Sequence, residues 1–184
     1  MAPKRIVFGA GTFEKLGDLA HEITRGGKAV VIMGNRSARE SGLADRVQTL
    51  LGRFAMQVRP HFNISREPTV RMVDEAAAFV RVQNPKVVIG IGGGSVIDCA
   101  KAAAALATNE GTVTEYLEGI GTGRTLVHPP LPMIAVPTAA GAGAEMTKNA
   151  VITIPELGMK RSMRDDRMIP TAALIDSNLS LSVP

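Results

Sequence analysis

Residues 87–101, VVIGIGGGSVIDCAK, bring together the side chains and backbone best suited to meet a ligand. An apolar run, Val87-Val88-Ile89, breaks into Gly90, Gly92, Gly93, Gly94 and Ser95, and an alanine-rich segment follows at once. Strand, glycine turn and helix in this order let backbone N–H groups surround a phosphate at a helix N-terminus. Glycine admits the close backbone approach that such a site needs. The spacing Gly90-x-Gly92-x-x-Ser95 carries serine where the dinucleotide fingerprint has its third glycine, so on this stretch alone a tight turn without a ligand stays open. Asp98 falls in the first helical turn, where the dipole favours a carboxylate. It reads either as a simple helix-terminus charge or as a carboxylate near the reactive end of a bound cofactor.

A second small-residue stretch, Pro137-Thr-Ala-Ala-Gly-Ala-Gly-Ala-Glu-Met-Thr147, reads either as a second phosphate or ribose cradle or as a turn that lets two backbones pack closely. His21, His61 and His128 are isolated and have no ligand spacing with one another or with Cys99, so no metal site is legible. Ser95 sits in no G-x-S-x-G elbow, and no Gly-Lys-Ser/Thr follows the glycines, which excludes those two motifs. Cys99, the single cysteine, rules out an internal disulfide framework and reads as a small buried residue.

The elements that must carry these residues alternate. Ile6–Phe8 reads as a short strand, and Phe13, Leu16, Leu19, Ala20 and Ile23 recur at helical spacing. Lys28–Met33 is a continuous apolar run suited to a central parallel strand, ending at Gly34-Asn35. Ser37 to Glu40 fits a capping box, with Leu43, Val47, Leu50 and Leu51 as the apolar face of the helix behind it. Phe54, Met56 and Val58 alternate as a strand does, and residues 60–68 read as a loop. Val73, Ala77 and Val80 mark a further helix closed by Asn84-Pro85, before the strand at 87–91 and the helix at 96–107. Beyond a Gly/Pro-rich loop from Gly119 come a short strand at Met133–Val136, two strands flanking a turn at 155–158, and a last strand at Ala172–Ile175. The pattern predicts a doubly wound, mainly parallel α/β sheet with a small β-hairpin extension. Both Gly34-Asn35 and Gly92–Ser95 then lie at the carboxyl ends of strands, where such sheets bind ligands. Residues 1–118 form the core βα units, and 119–184 a second part that contacts the same ligand.

The chain has 184 residues with 45% hydrophobic content, enough for one domain with a buried core. Its net charge of +4 is not organised into a basic stripe interleaved with aromatics, which argues against nucleic acid. No run is long enough to span a membrane, and the reading defaults to the cytoplasm.

Four ordered motifs make the pattern specific: Gly92-Gly93-Gly94-Ser95-Val96-Ile97-Asp98-x-Ala100-Lys101, then Val136-Pro137-Thr138, then Gly141-x-Gly143-x-Glu145-x-Thr147, then Gly158-x-Lys160. Together they closely resemble the iron-dependent (group III) alcohol dehydrogenases, over about residues 6–184. The resemblance implies an N-terminal α/β domain that binds NAD or NADP, followed by an all-helical domain holding a divalent metal, iron or zinc. It implies that Gly93, Gly94 and Ser95 contact the pyrophosphate, that Asp98 lies by the nicotinamide, and that Thr138, Thr147, Asn149 and Lys160 contact the adenosine and ribose portions. It further implies a small alcohol or its carbonyl as substrate, and apolar surface left open where the second domain would pack points to a homo-oligomer, such as a dimer.

Three features depart from the family pattern. The acidic residue that usually holds the adenosine ribose is replaced by Asn35, followed by Arg36, which removes the repulsion against a 2′-phosphate and makes NADP acceptable. Ala142 and Ala144 stand where hydroxyls are expected. The metal ligands of the family fall beyond a segment like residues 174–181, so the sequence reads as the N-terminal, cofactor-binding half, expected to be inactive in isolation. The other readings are a non-catalytic nucleotide-binding module, or a relative of the same fold acting on glycerol, a polyol phosphate, maleylacetate or a dehydroquinate precursor.

Overall fold

Alternate residues of a buried parallel strand must satisfy two different helical layers, and the strand at Lys28–Gly34 shows this directly. Ala29, Val31 and Met33 pack into one apolar cluster, Val30 and Ile32 into another. The structure is a computed structural model and describes residues 2–34, 42–64 and 67–180. Its strands are β1 (Arg5–Phe8), β2 (Lys28–Gly34), β3 (Gln57–Ile64), β4 (Val87–Gly92), β5 (Met133–Pro137), β6 (Asn149–Ile154), β7 (Met159–Arg164) and β8 (Ala172–Ile175). Its helices are α1 (Leu16–Thr24), α2 (Leu43–Gly52), α3 (Val70–Gln83), α4 (Gly94–Leu106) and α5 (Ser177–Ser180).

Six strands form one parallel sheet in the order β1-β8-β5-β4-β2-β3, and β6 and β7 form a separate antiparallel hairpin. The fold is thus α/β, doubly wound and Rossmann-like with a hairpin extension. On one face, Leu16 and Leu19 of α1 and Val47, Leu50 and Leu51 of α2 cover β2, β4, β5 and β8. On the other, Val73, Ala77 and Val80 of α3 and nearly all of α4 pack with Ala150, Ile152 and Ile154 of the hairpin. The helix after β2 and the helix after β4 therefore lie on opposite faces of two neighbouring strands. The strand order reverses between them, which opens a crevice at their carboxyl ends.

The segment after α2 differs from its sequence reading. Residues 54–56 belong to a turn, with Ala55 at φ 53°, and β3 starts at Gln57 and runs through Pro60 to Ile64. Phe54 leaves the strand pattern because its ring packs near Gly17 and stacks on His21, 5.0 Å between centroids. Pro60 is accommodated because, among the described residues, β3 pairs with β2 alone, so one side of the strand needs no N–H.

Candidate cofactor cleft

The glycines of the central turn are required by what surrounds them. A Cβ on Gly90 would lie 2.8 Å from the Ala100 Cβ and 2.9 Å from Met133 Cε, so β4 and α4 meet at glycine distance. A Cβ on Gly92 would lie 2.7 Å from Val96 Cγ2, which shuts out any side chain where the strand turns into the helix. Gly93 is the N-cap of α4 and, being glycine, supplies no side-chain hydrogen bond to the first N–H groups of the helix. Alongside runs the second small-residue stretch: the Thr138 amide donates to the Gly92 carbonyl at 3.0 Å, and a Cβ on Gly94 would lie 3.1 Å from Ala142 Cβ. Close packing of two backbones is therefore what the alanines at 142 and 144 permit.

Among the described residues, two recesses open on this region. One, of about 70 Å3, is lined by Ser95, Asp98 and Lys160 together with Glu67, Pro68, Val151 and Thr153. It unites three of the residues expected from the sequence. Glu67 and Thr153 were not anticipated: Glu67 forms an ion pair with Lys160, and its second oxygen accepts from Thr153 Oγ1 at 3.4 Å. The hydrogen bond from Lys160 holds the Glu67 carboxyl below the usual carboxylate range. The other recess, of about 410 Å3, is lined by Thr147, Asn149, Lys148, Arg164 and Asp166, with Met146 and Ile169 at its apolar side. Lys148 pairs with Asp166 there at 2.7 Å. Thr138 stays beside Gly92, and Asn35 lies outside the described residues, as does the 37–40 capping box.

Between the two recesses sits Lys101, quoted above in a motif without a role. Its side chain is fully buried, and its ammonium is 2.9 Å from Asp98 Oδ1. The same group donates to the carbonyls of Ala144 at 2.9 Å, Thr147 at 3.4 Å and Asn149, and to Thr147 Oγ1 at 3.2 Å. Asp98 Oδ2 accepts the Val151 amide at 3.0 Å. The Asp98 carboxylate and the Thr147 hydroxyl are thus both engaged inside the protein. Burial pushes the Lys101 ammonium below the ordinary lysine value, opposed by the charge and hydrogen bond of Asp98. Burial, with Asp98 adding to it, pushes the neighbouring Cys99 thiol up to about 12. Cys99 is a packing residue.

Among the described residues no three His, Cys, Asp or Glu side chains converge as a metal would need, so this part of the chain does not fit the divalent ion of the resembled family. No helix among them is long and apolar enough to cross a membrane.

A family model described as iron-containing alcohol dehydrogenase matches residues 3–177. The chain is similar to long-chain-alcohol dehydrogenase 1 of Geobacillus thermodenitrificans, 34% identical over 191 residues, covering 100% of this chain and 47% of that protein. It is also similar to the NAD-dependent methanol dehydrogenase of Bacillus methanolicus, 29% identical over 182 residues, covering 99% of this chain and 46% of that one. Among solved structures, sulfoacetaldehyde reductase of Bifidobacterium kashiwanohense in complex with NAD+ superposes with a TM-score of 0.89 at 31% identity, covering 100% of this chain and 47% of the other. The NADH-dependent butanol dehydrogenase A of Thermotoga maritima gives 0.90 at 29% identity, with 100% and 45% covered. The chain spans about half the length of the relatives it matches.

Proposed function

The chain belongs to the iron-containing alcohol dehydrogenases, and from that premise we propose that it holds the nicotinamide dinucleotide of such an enzyme. The observation that carries this reading is the N-terminus of α4, whose N-cap Gly93 provides no side-chain cap, set by Gly92–Ser95 at the strand reversal between β2 and β4. The amides of Gly93, Gly94 and Ser95 fit a pyrophosphate, with Gly92 free of any side chain in the way. Asp98 and Lys160 line the smaller recess with Ser95; in this reading Asp98 lies by the nicotinamide and Lys160 meets the adenosine and ribose portions. Thr147 and Asn149 line the larger recess and, with Thr138 beside Gly92, are assigned here to the adenosine and ribose portions, so that residues 1–118 and 119–184 both contribute.

When bound, the nicotinamide ring supplies hydride exchange with an alcohol or its carbonyl, the substrate class of the parent enzyme. The residues here orient the dinucleotide; the iron or zinc of the parent enzyme is assigned no step. NAD is the expected cofactor, and Asn35 extends the expectation to NADP because no carboxylate repels a 2′-phosphate. A homo-oligomer in the cytoplasm, acting on small molecules rather than on nucleic acid or membranes, belongs to the same reading.

Titration of the 184-residue chain with NADH and NADPH, followed by the emission of the reduced nicotinamide, tests it. Saturable binding of NADH without alcohol turnover is expected, with Asn35→Asp weakening NADPH selectively. Absence of saturable binding by both nucleotides overturns the reading.

A further inference from the structure

A lysine in the middle of an alanine helix is an unlikely place for a charge unless something holds it. Lys101 follows Cys99-Ala100 and precedes four alanines, and it is 1% exposed. An ammonium has three N–H donors, and a buried one persists only where oxygens replace its water. Among the described residues the oxygens that do so, apart from Asp98, belong to Ala144, Thr147 and Asn149, 43 to 48 positions away in the chain. Asp98 adds a fourth attachment through the Val151 amide. One ion pair therefore fastens the helix that begins at the glycine turn to the whole segment 144–151. That segment borders both recesses, through Thr147 and Asn149 on one side and Val151 on the other.

We infer that Lys101 is a positioning residue of the cofactor cleft: its ammonium sets the separation between the Gly93–Ser95 turn and the wall carrying Thr147 and Asn149. The inference rests on the cofactor reading above. Lys101 reaches no ligand itself. Its role is to fix two surfaces that a dinucleotide must touch at once, and a small displacement of such a surface weakens both contacts. A lysine that only filled space could be replaced by an apolar side chain with no effect on that separation.

Lys101→Ala removes the ammonium and leaves a slot matching propylammonium. The expected results are an NADH affinity lower by about tenfold, in the range seen when the partners orienting a site are removed, and faster hydrogen exchange at the Val151 amide while the amides of β4 stay protected. Propylammonium, but not sodium chloride at equal ionic strength, is expected to restore both. Wild-type affinity and Val151 protection in the variant overturn the inference. So does a loss that spreads equally to β4 and does not respond to propylammonium, because that is general destabilisation. Should the variant fold only with an additive, propylammonium-dependent recovery of NADH binding supports the inference, and equal recovery with sodium chloride overturns it. A wild-type chain that does not bind NADH refutes the cofactor reading and this role with it, whereas a wild type and variant that bind alike refute this role alone.

Discussion

Gly94 and Ala142 face each other so closely that a methyl group on the glycine would stand 3.1 Å from the alanine's. The first residue of α4 and the second small-residue stretch therefore approach as near as side chains permit, and anything larger must push the two backbones apart. Gly94→Val is expected to lower NADH affinity by about tenfold or more and to cost about 1–3 kcal/mol of stability, because the added methyl groups enter a contact that is already closed. Affinity measured by titration and stability by urea denaturation separate the two effects. Unaltered affinity in a folded variant would contradict the placement of the pyrophosphate.

The ion pair of Glu67 with Lys160 places a carboxylate beside the expected path of an anionic cofactor. Glu67→Gln frees Lys160 and removes a negative charge, so NADH is expected to bind a few-fold more tightly at low salt, with the gain fading as salt screens it. The thermal midpoint should not move, because both partners are about half exposed. Weaker binding would instead mean that Glu67 itself accepts a hydrogen bond from the ligand.

Asp176 accepts the amides of Gly11, Phe13 and Asn178 at 2.9, 2.9 and 3.0 Å. Burial alone would raise its carboxyl, but these amides outweigh burial and leave it below the ordinary 3.8. A depressed carboxyl contributes stability above the unfolded value, and the contribution is lost as pH falls through the lower folded value. Asp176→Asn is expected to cost about 1–3 kcal/mol at neutral pH. The gap to the wild type should shrink only below the ordinary carboxylate range. Denaturation at pH 7 and again near pH 3 measures both; an equal gap at the two would remove the carboxylate charge from the explanation.

Cys99 should be inert. With its thiol pushed up to about 12 and its side chain fully buried, it is expected to resist thiol reagents at pH 8 until denaturant is added. Rapid labelling of the folded chain would show that α4 opens from the sheet.

The parts of the molecule that were legible in the sequence are those with local signals. The alternation of apolar runs and helical spacing predicted the parallel sheet and the hairpin, and the glycines marked the mouth of the crevice. Phe54 misled because a short period-two pattern cannot distinguish a strand from the turn behind a helix, where its ring instead meets His21. Lys101 was hidden for a different reason. Lysine in a sequence reads as solvated, and its oxygens arrive from residues more than 40 positions distant. Glu67 was passed over because it sits just before Pro68 in what reads as a loop, and its partner Lys160 is 93 positions away. Side-chain roles that depend on such meetings leave no spacing to detect.

The pairing of β1 with β8 has a consequence in time. Among the described residues β1 lies at the sheet edge and hydrogen-bonds to β8 alone, and Phe13 behind it is held by Asp176, 163 positions further on. At roughly 5–20 residues per second of synthesis, the first strand waits on the order of 10–30 s before its neighbour exists. Through that interval β2 to β5 can assemble around one another, while β1 stays an unpaired strand on the ribosome with Phe8, 75% exposed even when folded, open to other chains. Of the described strands β1 waits longest for a neighbour, and a nascent-chain chaperone would have the longest access to it.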